Sequence, residues 1–182
     1  MRVVKWILAV VVVLAAVFVV GGMLLPRNVE VARSVEIDAP AEQVFPHVNS
    51  LKATQAWSPW LERDPDVKLT FEGPDTGVGS KMAWTSEEPT VGAGTQEITE
   101  SVENKSVKTA LDFGDMGTAV ATFDLAAAGG KTTLTWGLNS DMGAGPVGRW
   151  MGLMMDSWVG GDYEKGLANL KTLVESEDNS DG

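Results

Sequence analysis

Hydrophobic and polar positions fall into three patterns along the chain. Trp6 to Leu25 (WILAVVVVLAAVFVVGGMLL) runs about twenty residues without a charge, the length an α-helix needs to cross ~30 Å of hydrocarbon. Asn28 to Leu138 alternates between apolar and polar residues in short runs, the period of half-buried strands. Pro146 to Glu175 changes to spacings near three and four, the period of a helix.

The first run predicts a retained membrane anchor. It exceeds the 7–15 residues of a signal-peptide core, and no Ala-x-Ala-like cleavage site closes it. Arg2 and Lys5 precede it, Pro26-Arg27 ends it, and no polar face exists along which it could pack into a soluble core. The positive residues before it favour a cytoplasmic N-terminus with the rest of the chain outside.

The alternating part predicts seven strands. Asn28 to Asp38 is rich in β-branched residues (Val29, Val31, Val35, Ile37) and reads as the first. A short helix follows from the Asp38-Ala-Pro-Ala-Glu42 start, with Val44, Phe45 and Val48 as its apolar face. A second short helix or turn covers Ser50 to Ala56. Trp57-Ser-Pro-Trp60 then reads as a loop, because a residue before proline is pushed to extended geometry. Six further runs, Val67–Glu72, Val78–Thr85, Thr95–Val102, Ser106–Phe113, Thr118–Leu125 and Thr132–Leu138, are separated by Gly-, Pro-, Asn- and Asp-containing turns. Links this short join antiparallel neighbours. One apolar face per strand needs a cover on one side, and the C-terminal helix is the available cover.

In that helix Trp150, Met151, Met154, Trp158, Leu167, Leu170 and Val174 are read as one stripe, and Gly160-Gly161 as the place for a kink or break. The expected division is an anchor over 1–27, a domain over 28–175 and a disordered acidic tail over 176–182 (SEDNSDG).

Composition narrows the chemistry. The 182 residues carry a net charge of −11. Without Arg2 and Lys5 the remainder keeps 12 basic against 25 acidic residues, a balance that repels phosphate backbones and argues against nucleic-acid binding. Cysteine is absent, which excludes disulfides, thiolate nucleophiles and Cys-ligated zinc. His47 is the one histidine, so a two-histidine metal site is impossible, and no Asp-x-Asp-x-Asp-Gly loop or Gly-x-Ser-x-Gly elbow occurs. No metal and no cofactor is expected.

The order β-α-α-β6-α, with Trp57-Ser-Pro-Trp60 after the short helices and Gly161-Asp-Tyr-Glu-Lys-Gly-Leu-Ala-Asn-Leu170 in the last one, resembles the START-like helix-grip superfamily. Within it the chain is similar to the SRPBCC, polyketide cyclase/dehydrase and lipid-transport branch, over about Val29 to Val174. The resemblance implies an α+β helix-grip fold, a curved antiparallel sheet wrapped on a long C-terminal helix around a hydrophobic cavity. Its activities range from lipid carriage to cyclisation, so it implies a pocket and not a reaction.

The residues expected to line that cavity are Trp57, Trp60, Met82, Trp84, Phe113, Phe123, Trp136, Trp150, Met154 and Trp158, since indoles and thioethers suit an adaptable apolar site. For each one, ordinary core packing is the competing reading. Catalysis would need a buried acid or base, for which Tyr163, His47, Asp112 and Asp124 are the candidates. Arg149 could meet an acidic ligand head or serve as a surface ion-pair residue. The resulting expectation is a single-pass, membrane-anchored domain outside the cytoplasm that binds a hydrophobic small molecule or lipid without catalysis. A cyclase/dehydrase-like enzyme and a non-catalytic envelope interaction module are the alternatives.

Overall fold

The computed structural model describes residues 2–178. Helix α1 (Arg2–Leu24) carries the apolar run and is long and apolar enough to cross a membrane. Its side chains are exposed along most of its length, and Gly22 near its end is buried.

The alternating segments form strands β1 (Asn28–Ile37), β2 (Lys68–Glu72), β3 (Lys81–Thr85), β4 (Ala93–Val102), β5 (Ser106–Asp112), β6 (Thr118–Ala128) and β7 (Lys131–Asp141). They make one antiparallel sheet in the order β1-β7-β6-β5-β4-β3-β2. Strands β2 to β7 are a meander, and β1 closes on β7, with Val31 opposite Leu138 and Arg33 opposite Trp136. A register shift between Ile98 and Glu100 marks a bulge in β4, the kind of device that bends a sheet. Between β1 and β2 lie α2 (Ala41–Val48), a 3-10 turn (Ala53–Ala56) and α3 (Pro59–Arg63). The Trp57–Trp60 stretch is thus not all loop. Ser58 is extended as expected, and Pro59 opens α3 because its fixed φ and missing N–H suit the first turn of a helix.

Beyond β7 the chain forms two helices, α4 (Pro146–Gly152) and α5 (Met155–Asp178). The break falls at Leu153-Met154. Gly160-Gly161 lies inside α5, which is continuous there, and has a different purpose. A Cβ at Gly160 would overlap the Arg33 guanidinium, whose fork reaches Asp156 and Glu164, one turn to either side. The expected single stripe also fails on geometry. Nine residues separate Trp158 from Leu167, and at 3.6 residues per turn that is about two and a half turns, so the two face opposite ways. The buried stripe of α5 is Tyr163, Leu167, Leu170 and Val174. Helix α5 runs on through Asp178, three residues into the expected tail, and the rest of that tail, 179–182, lies outside the described residues.

The core sits between the inner sheet face and α2 and α5. Ile37, Val44, Val48, Leu51, Ile98, Val107, Leu134, Leu167, Leu170 and Val174 are essentially inaccessible. Helix α5 packs along β1 and touches α2 and α3, so the grip is tight at the β1–β7 side of the sheet.

Candidate functional site

The inner face of the sheet is not covered evenly. Near β6 and β7 it is filled by rings. Trp136 on β7 stacks on Tyr163 of α5 at a centroid distance of 3.9 Å and on Phe123 of β6 at 5.1 Å. Trp57 and Trp60, from the segment after α2, meet Trp136 edge-on at 5.2 and 5.7 Å. The alternation of β6 and β7 aims Phe123 and Trp136 inward side by side, since they are register partners. Gly166, one turn after Tyr163, lets α5 approach, because a Cβ there would press on Trp136 and Pro59. Trp57 is fixed by its indole N–H donating to the His47 carbonyl, and Asn169 donates to the Trp57 carbonyl.

The Trp136 indole nitrogen differs. It is buried and has no hydrogen-bond partner among the described residues. An unsatisfied buried donor costs about 1–3 kcal/mol, so native structures rarely retain one without reason.

Towards the far edge the cover thins. Leu69 and Phe71 of β2, Trp84 of β3, Leu111 of β5 and Phe113 pack against the core yet stay half-buried. Trp84 and Phe113 meet edge-on at 5.9 Å, and Trp84 lies over Gly94, where a Cβ would collide with its ring. Gln96 donates to Thr109 on the same inner face, which places one polar pair among these apolar groups. An open groove of about 350 Å³ lies behind Trp57, lined by Gln55, Ser58, Leu61, Glu62 and Asn169. A second of about 480 Å³ runs over the outer face near Thr95, Ala110, Val120 and Asn139.

Of the ten expected lining residues, Trp57, Trp60, Phe123 and Trp136 come together in the aromatic cluster, which Tyr163 completes. Met82, Trp84 and Phe113 lie on the same inner face further out. Trp150, Met154 and Trp158 do not join them and are exposed on α4 and the first turn of α5. Trp150 stacks on Phe18 of α1 at 5.9 Å.

The catalytic candidates stay apart. Tyr163 is buried in the ring cluster, and burial pushes its phenol well above the ordinary 10.0, which makes it a neutral donor rather than a base. His47 ends α2, 3.1 Å from Glu177. Asp112 is exposed at the end of β5 and accepts from the Gly114 N–H, and Asp124 is exposed on β6. Arg149 donates to the carbonyls of Met23 and Leu25 and so caps α1, a role that neither of its two sequence readings named. Among the described residues no group of three or more His, Asp or Glu is placed to hold a metal. Sequence reasoning missed the Trp136 N–H and the Gln96–Thr109 pair, because neither an orphaned donor nor a cross-strand partner has a signature in one strand alone.

This architecture recurs in solved structures at low identity. A protein from Nitrosomonas europaea is 11% identical with a TM-score of 0.58, covering 82% of this chain and 96% of its own. A protein from Chromobacterium violaceum is 20% identical with a TM-score of 0.53, covering 83% and 99%. The di-domain ARO/CYC StfQ from the steffimycin biosynthetic pathway is 10% identical with a TM-score of 0.63, covering 84% of this chain and 52% of its own. These likenesses concern the fold. No functionally curated protein matches the sequence. The family model described as polyketide cyclase / dehydrase and lipid transport matches residues 28–175, everything from the start of β1 to near the end of α5, and the chain belongs to that family.

Proposed function

We propose that the domain binds a hydrophobic small molecule or lipid on the half-covered inner face of its sheet, while α1 holds it to a membrane as a single-pass anchor. The observation that carries this reading is the Trp136 N–H, buried amid the packed rings with no acceptor among the described residues. A ligand carrying a carbonyl or hydroxyl oxygen would satisfy that donor, and its apolar body would cover Leu69, Phe71, Trp84, Leu111 and Phe113. The Gln96–Thr109 pair offers a second polar point. A small number of polar groups in an apolar setting is the usual composition of such sites. Among the described residues no base, nucleophile or metal ligand set meets at this face, which supports carriage or sensing over catalysis.

Native mass spectrometry of the full chain, purified in detergent and stripped in the gas phase, tests this. The expected result is one apolar molecule retained per chain. Trp136→Phe keeps most of the ring and removes the donor. Since a net hydrogen bond is worth about 0.5–1.5 kcal/mol, affinity should fall about two- to twelvefold. A bare chain that also fails to bind a hydrophobic fluorophore would overturn the reading.

The ring cluster supports a second reading, an interaction module whose pocket is closed by its own side chains. In that case Trp136→Ala should cost the full ~3–5 kcal/mol of a core aromatic deletion with no ligand to lose.

A further inference from the structure

We infer that α4 and the first turn of α5 form an in-plane membrane-surface element, so that the domain is bedded in the lipid interface beside α1 and does not swing freely on it. This rests on the reading of α1 as a membrane span.

Helix α4 has three unlike faces. Pro146 and Trp150, one turn apart, lie against Gly22 and Gly21 of α1, where a Cβ would collide with them. Gly148 and Gly152, also one turn apart, lie against Met142 and Val29 at the end of the sheet. Val147 and Met151 make the third face, which continues through Leu153 and Met154 to Trp158. These five large apolar side chains are 47–60% exposed. A run of that kind on a monomeric surface marks a contact with a protein or a membrane.

Continuity with α1 identifies the occupant as lipid. The Trp150 indole N–H donates to the Phe18 carbonyl at 3.0 Å, and its ring stacks on Phe18. Phe18 lies six residues before the end of α1, about 9 Å along a helix rising 1.5 Å per residue. The apolar run has no length to spare. Its roughly twenty residues give about 30 Å, the hydrocarbon thickness itself. The last two turns of α1 therefore stay in the bilayer, and α4, fastened to them, lies at the level where acyl chains meet headgroups. Tryptophan is enriched at that level, with an apolar ring and a polar edge. Polar groups flank the apolar face in the way an interfacial helix requires. Arg149 turns back to the carbonyls at the end of α1, Arg27 pairs with Asp141, and Asp156 is held by Arg33.

The chain has no cysteine, so single labels can be placed without background. Nitroxides at Met151→Cys, Leu153→Cys and Met154→Cys are compared in phosphatidylcholine vesicles with Val11→Cys in α1 and with Glu103→Cys in the β4–β5 turn at the other end of the sheet. All five are exposed positions, where a label does not disturb packing. The expected result is that labels at 151, 153 and 154 collide more often with oxygen than with an aqueous nickel chelate, though less markedly than at 11, while the label at 103 shows the reverse. A lipid-like signal at 11 with water-like signals at 151, 153 and 154 would overturn the inference and leave the span intact. A water-like signal at 11 would overturn the span and the inference with it.

Discussion

At the scale of single residues, the site depends on rings whose polar atoms are handled differently. Trp57 and Trp84 donate to the carbonyls of His47 and Val91, whereas Trp136 has no acceptor. Tyr163 presses its face on Trp136, and burial raises its phenol above the ordinary 10.0. In the unfolded chain it ionises near 10, while in the fold it stays neutral. Stability is therefore unaffected below pH 10 and falls above it, by about 1.4 kcal/mol per pH unit until the folded group also ionises. Tyr163→Phe keeps the stack and removes the titration, so its alkaline unfolding midpoint should move to higher pH. Because this is the chain's one tyrosine, phenolate absorbance reports the wild-type group alone, and its appearance should coincide with unfolding. Ionisation near 10 without unfolding would contradict the buried stack.

At the scale of elements, what the sequence discloses and what it hides divide along a physical line. Strand alternation is a local signal, so Phe123, Leu125, Leu134 and Trp136 are assigned to the inner face from their own runs, and the meander follows from short turns. The start of the five-residue α3 at Pro59 is hidden, because the same proline that extends Ser58 also begins a helix. The α4–α5 break is hidden for a different reason. Helix propensity points to Gly160-Gly161, but Gly160 is there to admit Arg33, a partner from β1 more than a hundred residues earlier. The bend at Leu153-Met154 answers instead to α4 lying against α1. Placing Trp150, Met154 and Trp158 with the ligand-lining set depended on an unbroken stripe, and the break and the helical phase remove them from it. The α1–α4 seam can be tested through its tightest point. In Gly22→Leu the added side chain has no room beside Pro146, so the helices should part. Spin labels at Val13→Cys and Val147→Cys should give a narrow distance distribution in the parent chain and a broad one with Gly22→Leu. A narrow distribution in both would mean that the seam does not position the domain.

At the scale of the whole molecule, three separate interactions hold the chain in one pose. The sheet grips α5 through β1, α1 is capped by Arg149, and Arg27 just past α1 pairs with Asp141 at the end of β7. The last two of these join the end of the apolar run to the end of the sheet, so the domain inherits its direction from α1. With α1 as the proposed span, the side of the membrane on which the domain lies depends on charge before folding. Arg2 and Lys5 precede the run, Arg27 and Arg33 follow it, and the remaining body is strongly acidic. Basic residues close to a span are retained on the cytoplasmic side, while acidic residues count for little, so the N-terminal cluster next to the run sets the bias. The bias is narrow, since each side has two basic side chains and only the more distant Arg33 weakens the second pair. A C-terminal alkaline phosphatase fusion should accordingly be active and a C-terminal green fluorescent protein fusion dark. Replacing both basic residues, Arg2→Glu with Lys5→Glu, leaves Arg27 and Arg33 as the dominant positive pair, and the two reporters should exchange signals in a substantial share of molecules. Unchanged reporters in the double variant would show that orientation comes from translocation of the folded-length body and not from these residues. A fluorescent C-terminus in the parent chain would place the proposed ligand-binding face in the cytoplasm.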